Sequence, residues 1–268
     1  MSFIEEIGCP MRRGDVTVLS ISCVLAAIAV AAVTFSVRVL DHKPSGAEFE
    51  SSDSSSSWLV LTWGPSLCAA EPTNAGCTSG HVGAKGSTWL LHGLWPQPVD
   101  NQYCGVPKEI AKRASDLKGS HMPSVAIGDD VRATLQSEMS DASSLAPHEW
   151  YAHGTCSGVT PDAFFSDAAA LAQQARKILD PMFTEAEGGR ISLGAVRDRF
   201  DTDYGAGAGE RVRLSCRNVT GQGSVVYELH LSLPPVTELR APDGTQSLKD
   251  LIVKAPPLGP GCRNASVP

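Results

Sequence analysis

His148-Glu149-Trp150-Tyr151-Ala152-His153-Gly154-Thr155-Cys156, together with Leu91-His92-Gly93-Leu94-Trp95-Pro96 upstream of it, decides how the chain is read. The opening His-Glu invites comparison with the zinc motif H-E-x-x-H, whose histidines stack on adjacent helical turns. Here an extra residue intervenes. At about 100° per residue, His148 and His153 would sit about 140° apart on a helix, which argues against a zinc peptidase. Glu149 and His153 are four apart and share a helix face, where a carboxylate can hold or polarise an imidazole. Pro147 is suited to be the first helical residue, so His148 and Glu149 are expected at a helix N-terminus, a position that favours anions such as phosphate. Ala152 falls between His148 and Glu149 on that helix, and Trp150 turns away toward the core.

Outward from these blocks, "TWLLHGLW" has strand character up to Pro96, and so does "WLVLTW" from Trp58 to Trp63, which ends at a Gly-Pro turn. Apolar residues recur at helical spacing in Val131 to Met139 and in Asp162 to Leu179. Later, "RVRLSC" and "VVYELHLSL" alternate as a half-buried antiparallel pair would. The order of elements predicts an α+β domain, a central antiparallel sheet with flanking helices. Pro107 to Lys118 and Thr184 to Gly189 read as surface structure. The Gly-rich stretch from Asp201 to Glu210 lacks the Lys-Ser/Thr ending of a phosphate-cradling loop and reads as a flexible loop.

Residues 1–15 form an N-terminal segment ahead of an uncharged apolar run, Val16 to Val37, bounded by Arg12, Arg13 and Arg38. About 20 helical residues cross a bilayer, so the run is read as a transmembrane anchor or a removable signal peptide. Either sends the rest of the chain out of the cytoplasm, as a membrane-anchored or secreted protein of the cell envelope or extracellular space. Residues 38–57, Ser-rich and acidic, read as a disordered linker to a domain over 58–268. That domain holds six cysteines, Cys68, Cys77, Cys104, Cys156, Cys216 and Cys262. An even number beyond an export signal points to disulfides, though six cysteines admit fifteen pairings. No C-x-x-C pair supports structural zinc. A net charge of −7 argues against a nonspecific nucleic-acid coat, while leaving room for a site that grips one or two phosphates.

At the two histidine blocks the chain resembles the ribonuclease T2 family, whose signatures have the forms H-G-L-W-P and H-E-W-x-K-H-G-T-C. His92 to Pro96 matches the first in full, and His148 to Cys156 matches the second except at Ala152, where lysine is usual. "LVLTWGPSLC", "RVRLSC" and "VYELHLSL" add weaker support, and the resemblance runs from about Trp58 to Cys262. It implies an endoribonuclease that cleaves single-stranded RNA through a 2′,3′-cyclic phosphate with no cofactor and no metal, acting as a monomer. By motif position His153 is similar to the general base, His92 to the general acid, Glu149 to the residue supporting the transition state and His148 to the phosphate ligand. Trp95 and Tyr103 match base-stacking positions, and Gln97 stands where some members carry a base-reading acid. The resemblance also implies the pairs Cys68 with Cys77, Cys104 with Cys156, and Cys216 with Cys262. Ala152 keeps open an alternative, a catalytically impaired member of the same fold that binds RNA or a protein partner. A metal-dependent phosphodiesterase or peptidase would need a ligand set that the sequence does not display.

Overall fold

The computed structural model describes residues 56–115 and 122–268. The apolar run and most of the Ser-rich segment lie outside the described residues. Among those described, no helix is long and apolar enough to cross a membrane.

A six-stranded sheet organises the domain, with strands β1 (Ser57–Trp63), β2 (Trp89–Pro96), β3 (Arg190–Ser192), β4 (Val212–Val219), β5 (Gly223–Leu233) and β6 (Asn264–Ser266). The spatial order is β2, β1, β5, β6, β3, with β4 also on β5. Pairing is antiparallel except for one parallel contact, Val225 with Ser266. β1 is buried along its whole length, which explains why it reads as a continuous apolar run rather than an alternation. It begins at Ser57, whose hydroxyl donates to the Pro234 carbonyl.

The two faces of the sheet carry different chemistry. Leu59, Leu61, Trp63, Leu91, Leu94, Leu229 and Leu231 belong to the main core. Along β1 the alternate residues Trp58, Val60 and Thr62 lie opposite Ser232, His230 and Glu228 of β5, so the other face gathers polar groups.

The longer helices among the described residues are α1 (Gly64–Ala70), α2 (Lys108–Ser115), α3 (Asp129–Glu138), α4 (Ala142–Ala152), α5 (Pro161–Glu185) and α6 (Leu193–Tyr204), with three helices of four or five residues besides. α5 starts where Thr160 caps the Ala163 N–H and Pro161 supplies a fixed φ. Its alanines 168, 169, 172 and 175 are buried, and small side chains there let the helix lie close to the sheet. At its far end Phe183 meets Trp63 and Trp89 at ring separations of 5.4 and 4.7 Å. Truncating such a buried ring to alanine costs about 3–5 kcal/mol.

Two expectations change here. The stretch from Asp201 to Glu210 is not a flexible loop: Asp201 to Tyr204 close α6, and Ala208–Arg211 form a 3₁₀ turn. A Cβ on Gly209 would come within 2.4 Å of the Arg197 carbonyl, so that glycine serves close packing. Second, Pro147 does not begin its helix. Asp141 does, because its carboxylate accepts from the Ser143 N–H and from the hydroxyls of Ser143 and Ser144. His148 and Glu149 therefore sit toward the C-terminal end of α4, where the helix dipole favours positive charge rather than anions.

Disulfides join Cys68 to Cys77, Cys104 to Cys156, and Cys216 to Cys262. The second ties the segment after β2 to the 3₁₀ turn that follows α4. It thus links the two histidine blocks.

Candidate active site

The β1–β2 register slips by one residue: Val60 pairs with Gly93 and Leu61 with Leu91, leaving His92 as the extra residue of a bulge. A bulge re-aims a side chain out of the regular pleat. His92 is thereby turned onto the polar face, one-quarter exposed, with Nδ1 2.9 Å from Glu228 Oε1 and Nε2 3.4 Å from Glu149 Oε1. The Thr62 hydroxyl lies 3.4 Å from the same Nδ1.

Glu149 arrives from α4 and is completely buried. Its Oε2 accepts a 2.9 Å hydrogen bond from the Trp95 indole N–H. Oε1 accepts none among the described residues and instead faces His92 at 3.4 Å and His148 at 3.8 Å. A buried carboxylate is tolerable only when charges and donors surround it, and here they do.

The helix arithmetic separating His148 from His153 does not hold. α4 ends at Ala152, and His153, at φ −123° and ψ −47°, leaves the helical path. Its ring turns back to a centroid distance of 6.4 Å from His148. Donor atoms of His148, Glu149 and His153 all lie within 4.8 Å of one another, so the three side chains share one corner of the cleft. His148 is fixed by a 2.5 Å contact between Nδ1 and the Ala114 carbonyl, which makes Nδ1 the donor and leaves Nε2 toward Glu149. His153 is 5% exposed, lies against the Trp95 indole at 5.1 Å and 27°, and its Nδ1 has no hydrogen-bond partner among the described residues.

Trp95 is the hub. Half-buried, it touches His92 edge-on at 5.4 Å, stacks on His153 and hydrogen-bonds Glu149. Tyr103 stands close by at φ +58°, its N–H donating to the Ala152 carbonyl. Burial and the Glu149 charge push its phenol above the ordinary value. Gln97 is 3% exposed and donates to the Trp95 carbonyl, so it braces the backbone. Ala152, 1% exposed, lies at the helix end and brings no charge to the cleft. Trp150 packs on Phe164 and Phe165 in the core.

The two imidazoles flanking Trp95 are tuned in opposite directions. Burial opposes a charge on His92, but the hydrogen bond to Glu228 and the Glu149 carboxylate outweigh it and push the ring up to about 9. Burial lowers His153, and the charge of Glu149 does not make up for it. At neutral pH this leaves one cationic and one neutral imidazole around a shared carboxylate, the composition of an acid and base pair.

Glu228 and His230 were not singled out from the sequence. Glu228 Oε2 lies 3.2 Å from His230 Nε2, and both side chains are almost fully buried. The signal was available: in "VVYELHLSL" the polar residues 228, 230 and 232 occupy alternate positions of a strand with no exposed face in that half.

The family model described as "Ribonuclease T2 family" matches residues 55–241. A ribonuclease of Aeromonas hydrophila is 29% identical over 116 residues, 43% of this chain, and the match spans only 44% of that protein's length. Ribonuclease 1 of Arabidopsis thaliana is 26% identical over 182 residues, covering 65% of this chain and 73% of the relative. Among solved structures, RNase NT in complex with 5′-AMP superposes with a TM-score of 0.52 at 18% identity, over 81% of this chain and 98% of that one, a likeness of fold.

Proposed function

The chain belongs to the ribonuclease T2 family, and from that premise we propose that it is an endoribonuclease cutting single-stranded RNA by metal-independent transphosphorylation. One observation carries the reading: His92 and His153, remote in sequence and oppositely tuned, flank Trp95 about the buried Glu149.

In this mechanism neutral His153 takes the proton of the 2′-hydroxyl, and O2′ attacks the adjacent phosphorus. A pentacoordinate phosphorane forms as the P–O5′ bond weakens. His92 donates its Nε2 proton to O5′, which leaves as a hydroxyl, and the 2′,3′-cyclic phosphate remains. Glu149 offsets the charge that His153 gains. His148, fixed by its Nδ1 contact to the Ala114 carbonyl, lines the place the phosphate takes. The roles then reverse, with His92 activating water against the cyclic phosphate and His153 returning a proton to O2′. Trp95 and Tyr103 offer ring faces for bases, and stacking is worth about 1–3 kcal/mol per base.

Three disulfides suit an oxidising compartment, so the domain over 58–268 works outside the cytoplasm, with export assigned to the Val16 to Val37 segment. The test is digestion of an RNA homopolymer in excess chelator, with DNA as control. A cyclic-phosphate product from RNA alone is expected, and His92→Ala or His153→Ala should lower turnover by about 10²–10⁴. Ala152, which adds no cation where family members usually carry lysine, favours the second reading, an RNA-binding member with impaired catalysis. Folded wild-type protein that binds the homopolymer without cutting it would establish that alternative.

A further inference from the structure

Resting on the ribonuclease reading above, we propose that Glu228 is the positioning residue of the acid step, clamping His92 through Nδ1 so that Nε2 presents a proton to the leaving oxygen, with His230 holding Glu228 in place.

The geometry is specific. Glu228 lies on β5 between β1 and β4, opposite Thr62 on one side and Ser215 on the other, so its backbone is fixed by both neighbours. Its two oxygens are divided between two imidazoles, Oε1 to His92 Nδ1 at 2.9 Å and Oε2 to His230 Nε2 at 3.2 Å. A carboxylate only accepts, so both rings donate to it. His230 Nδ1 has no hydrogen-bond partner among the described residues, and its ring is wedged between Trp58 and Trp95 at 5.5 and 5.6 Å. That wedge leaves Nε2 directed at Glu228.

Burying a carboxylate between imidazoles is a poor way to stabilise a sheet, since apolar replacements of buried ion pairs are often neutral or stabilising. The arrangement does, however, meet both needs of a proton donor. With Nδ1–H committed to Glu228, His92 must be the imidazolium to hold a second proton on Nε2, and the carboxylate favours that form. After Nε2 gives its proton to O5′, the neutral ring is already the Nδ1–H tautomer, with an Nε2 lone pair ready to take a proton from water in the hydrolysis step. No rearrangement intervenes between the two half-reactions. The charged and titratable groups around His92 are Glu228 and His230 on β5, Glu149, His148 and His153 from the α4 side, Glu71 at the C-cap of α1, and Arg213 on β4 opposite His230. Of these described groups, Glu228 and Glu149 lie within 3.5 Å of the ring.

Glu228→Gln keeps shape and an acceptor while removing the charge. In full-length protein labelled with ¹⁵N-histidine, NMR titration should place the wild-type His92 midpoint near 9 and the variant's closer to 6.5. Turnover of a dinucleotide should fall increasingly with pH, by up to about 30-fold at pH 8, the ratio of protonated fractions for pKa values of about 9 and 6.5. A nucleoside 3′-(4-nitrophenyl phosphate), whose leaving group needs no proton, should lose far less. Glu228→Asp, which retains the charge, should recover part of the alkaline activity. A structural role alone would lower both substrates equally at every pH. An unchanged His92 midpoint in Glu228→Gln overturns the proposal whether or not RNA is cut. Wild-type protein that cuts no RNA, yet shows the expected midpoints, leaves the clamp standing and overturns the ribonuclease reading instead.

Discussion

Gly93→Ala is the most informative single methyl in the domain. Gly93 pairs with Val60 beside the bulge, and an added Cβ would lie 1.7 Å from Glu149 Oε2, 2.5 Å from its Cδ and 3.0 Å from Trp95 Nε1. The strand is held on one side by β1 and cannot retreat without breaking its ladder, so the carboxylate must swing. That motion breaks the 2.9 Å bond from Trp95 and moves Oε1 away from His92. Loss of a hydrogen bond to a charged group costs about 1.5–3 kcal/mol. Expressed in the transition state, this is about a 10- to 150-fold fall in kcat. The assay is steady-state cleavage of a dinucleotide alongside thermal denaturation. Gly209→Ala is the control, because its Cβ would strike the Arg197 carbonyl, on a 3₁₀ turn that supplies no side chain to the cleft. It should lose about 1–3 kcal/mol of stability by overpacking and keep its kcat. If Gly93→Ala retained wild-type turnover, Glu149 would not be acting from the position described.

Other outcomes follow from the same geometry. The kcat/KM profile should hold a plateau that begins below pH 6.5, since burial keeps His153 neutral there, and ends near pH 9, where His92 loses its proton. A descending limb near pH 7 would contradict the assignment. His92 is raised on folding, so its stabilisation is complete below pH 6.5 and is lost as pH rises through about 9. Urea midpoints across that interval should fall, and a flat series would show that the ring is not so paired. Replacing Cys104 and Cys156 by serine should cost about 2–5 kcal/mol and reduce kcat as well, because that bridge links the two histidine blocks. Ala152→Lys, into a buried position, should lower Tm by overpacking while raising kcat; unaltered kcat would mean that His92 already supplies the needed cation.

The long α5 is legible because burial of one face imposes a helical period on its side chains, and β1 because burial of both faces makes it a short unbroken apolar run. Position 92 was legible as chemistry but not as geometry: nothing in Leu-His-Gly-Leu announces a bulge, which arises from pairing with β1. Pro147 is a strong helix-start signal and predicts a later start for α4 than the Asp141-Ala-Ser-Ser cap gives it. The approach of His153 to His148 is hidden from helix geometry for a related reason. Helical angles apply only as far as Ala152, and His153 is the first residue past the helix end. α6 escaped notice because its apolar stripe, Leu193, Val196, Phe200 and Tyr204, is diluted by charged residues and runs into glycines. Glu228 lies far from either signature, and only the folding of β5 against β1 brings it to His92.

The account depends on the substrate's own 2′-hydroxyl being the nucleophile between two imidazoles. An RNA oligonucleotide carrying one 2′-deoxy residue, digested in excess chelator, tests that directly. Cleavage at the neighbouring linkages, with the bond 3′ to the deoxy residue intact, is the expected pattern. Scission at that bond would show that some other group attacks phosphorus and that His153 is not the base for O2′.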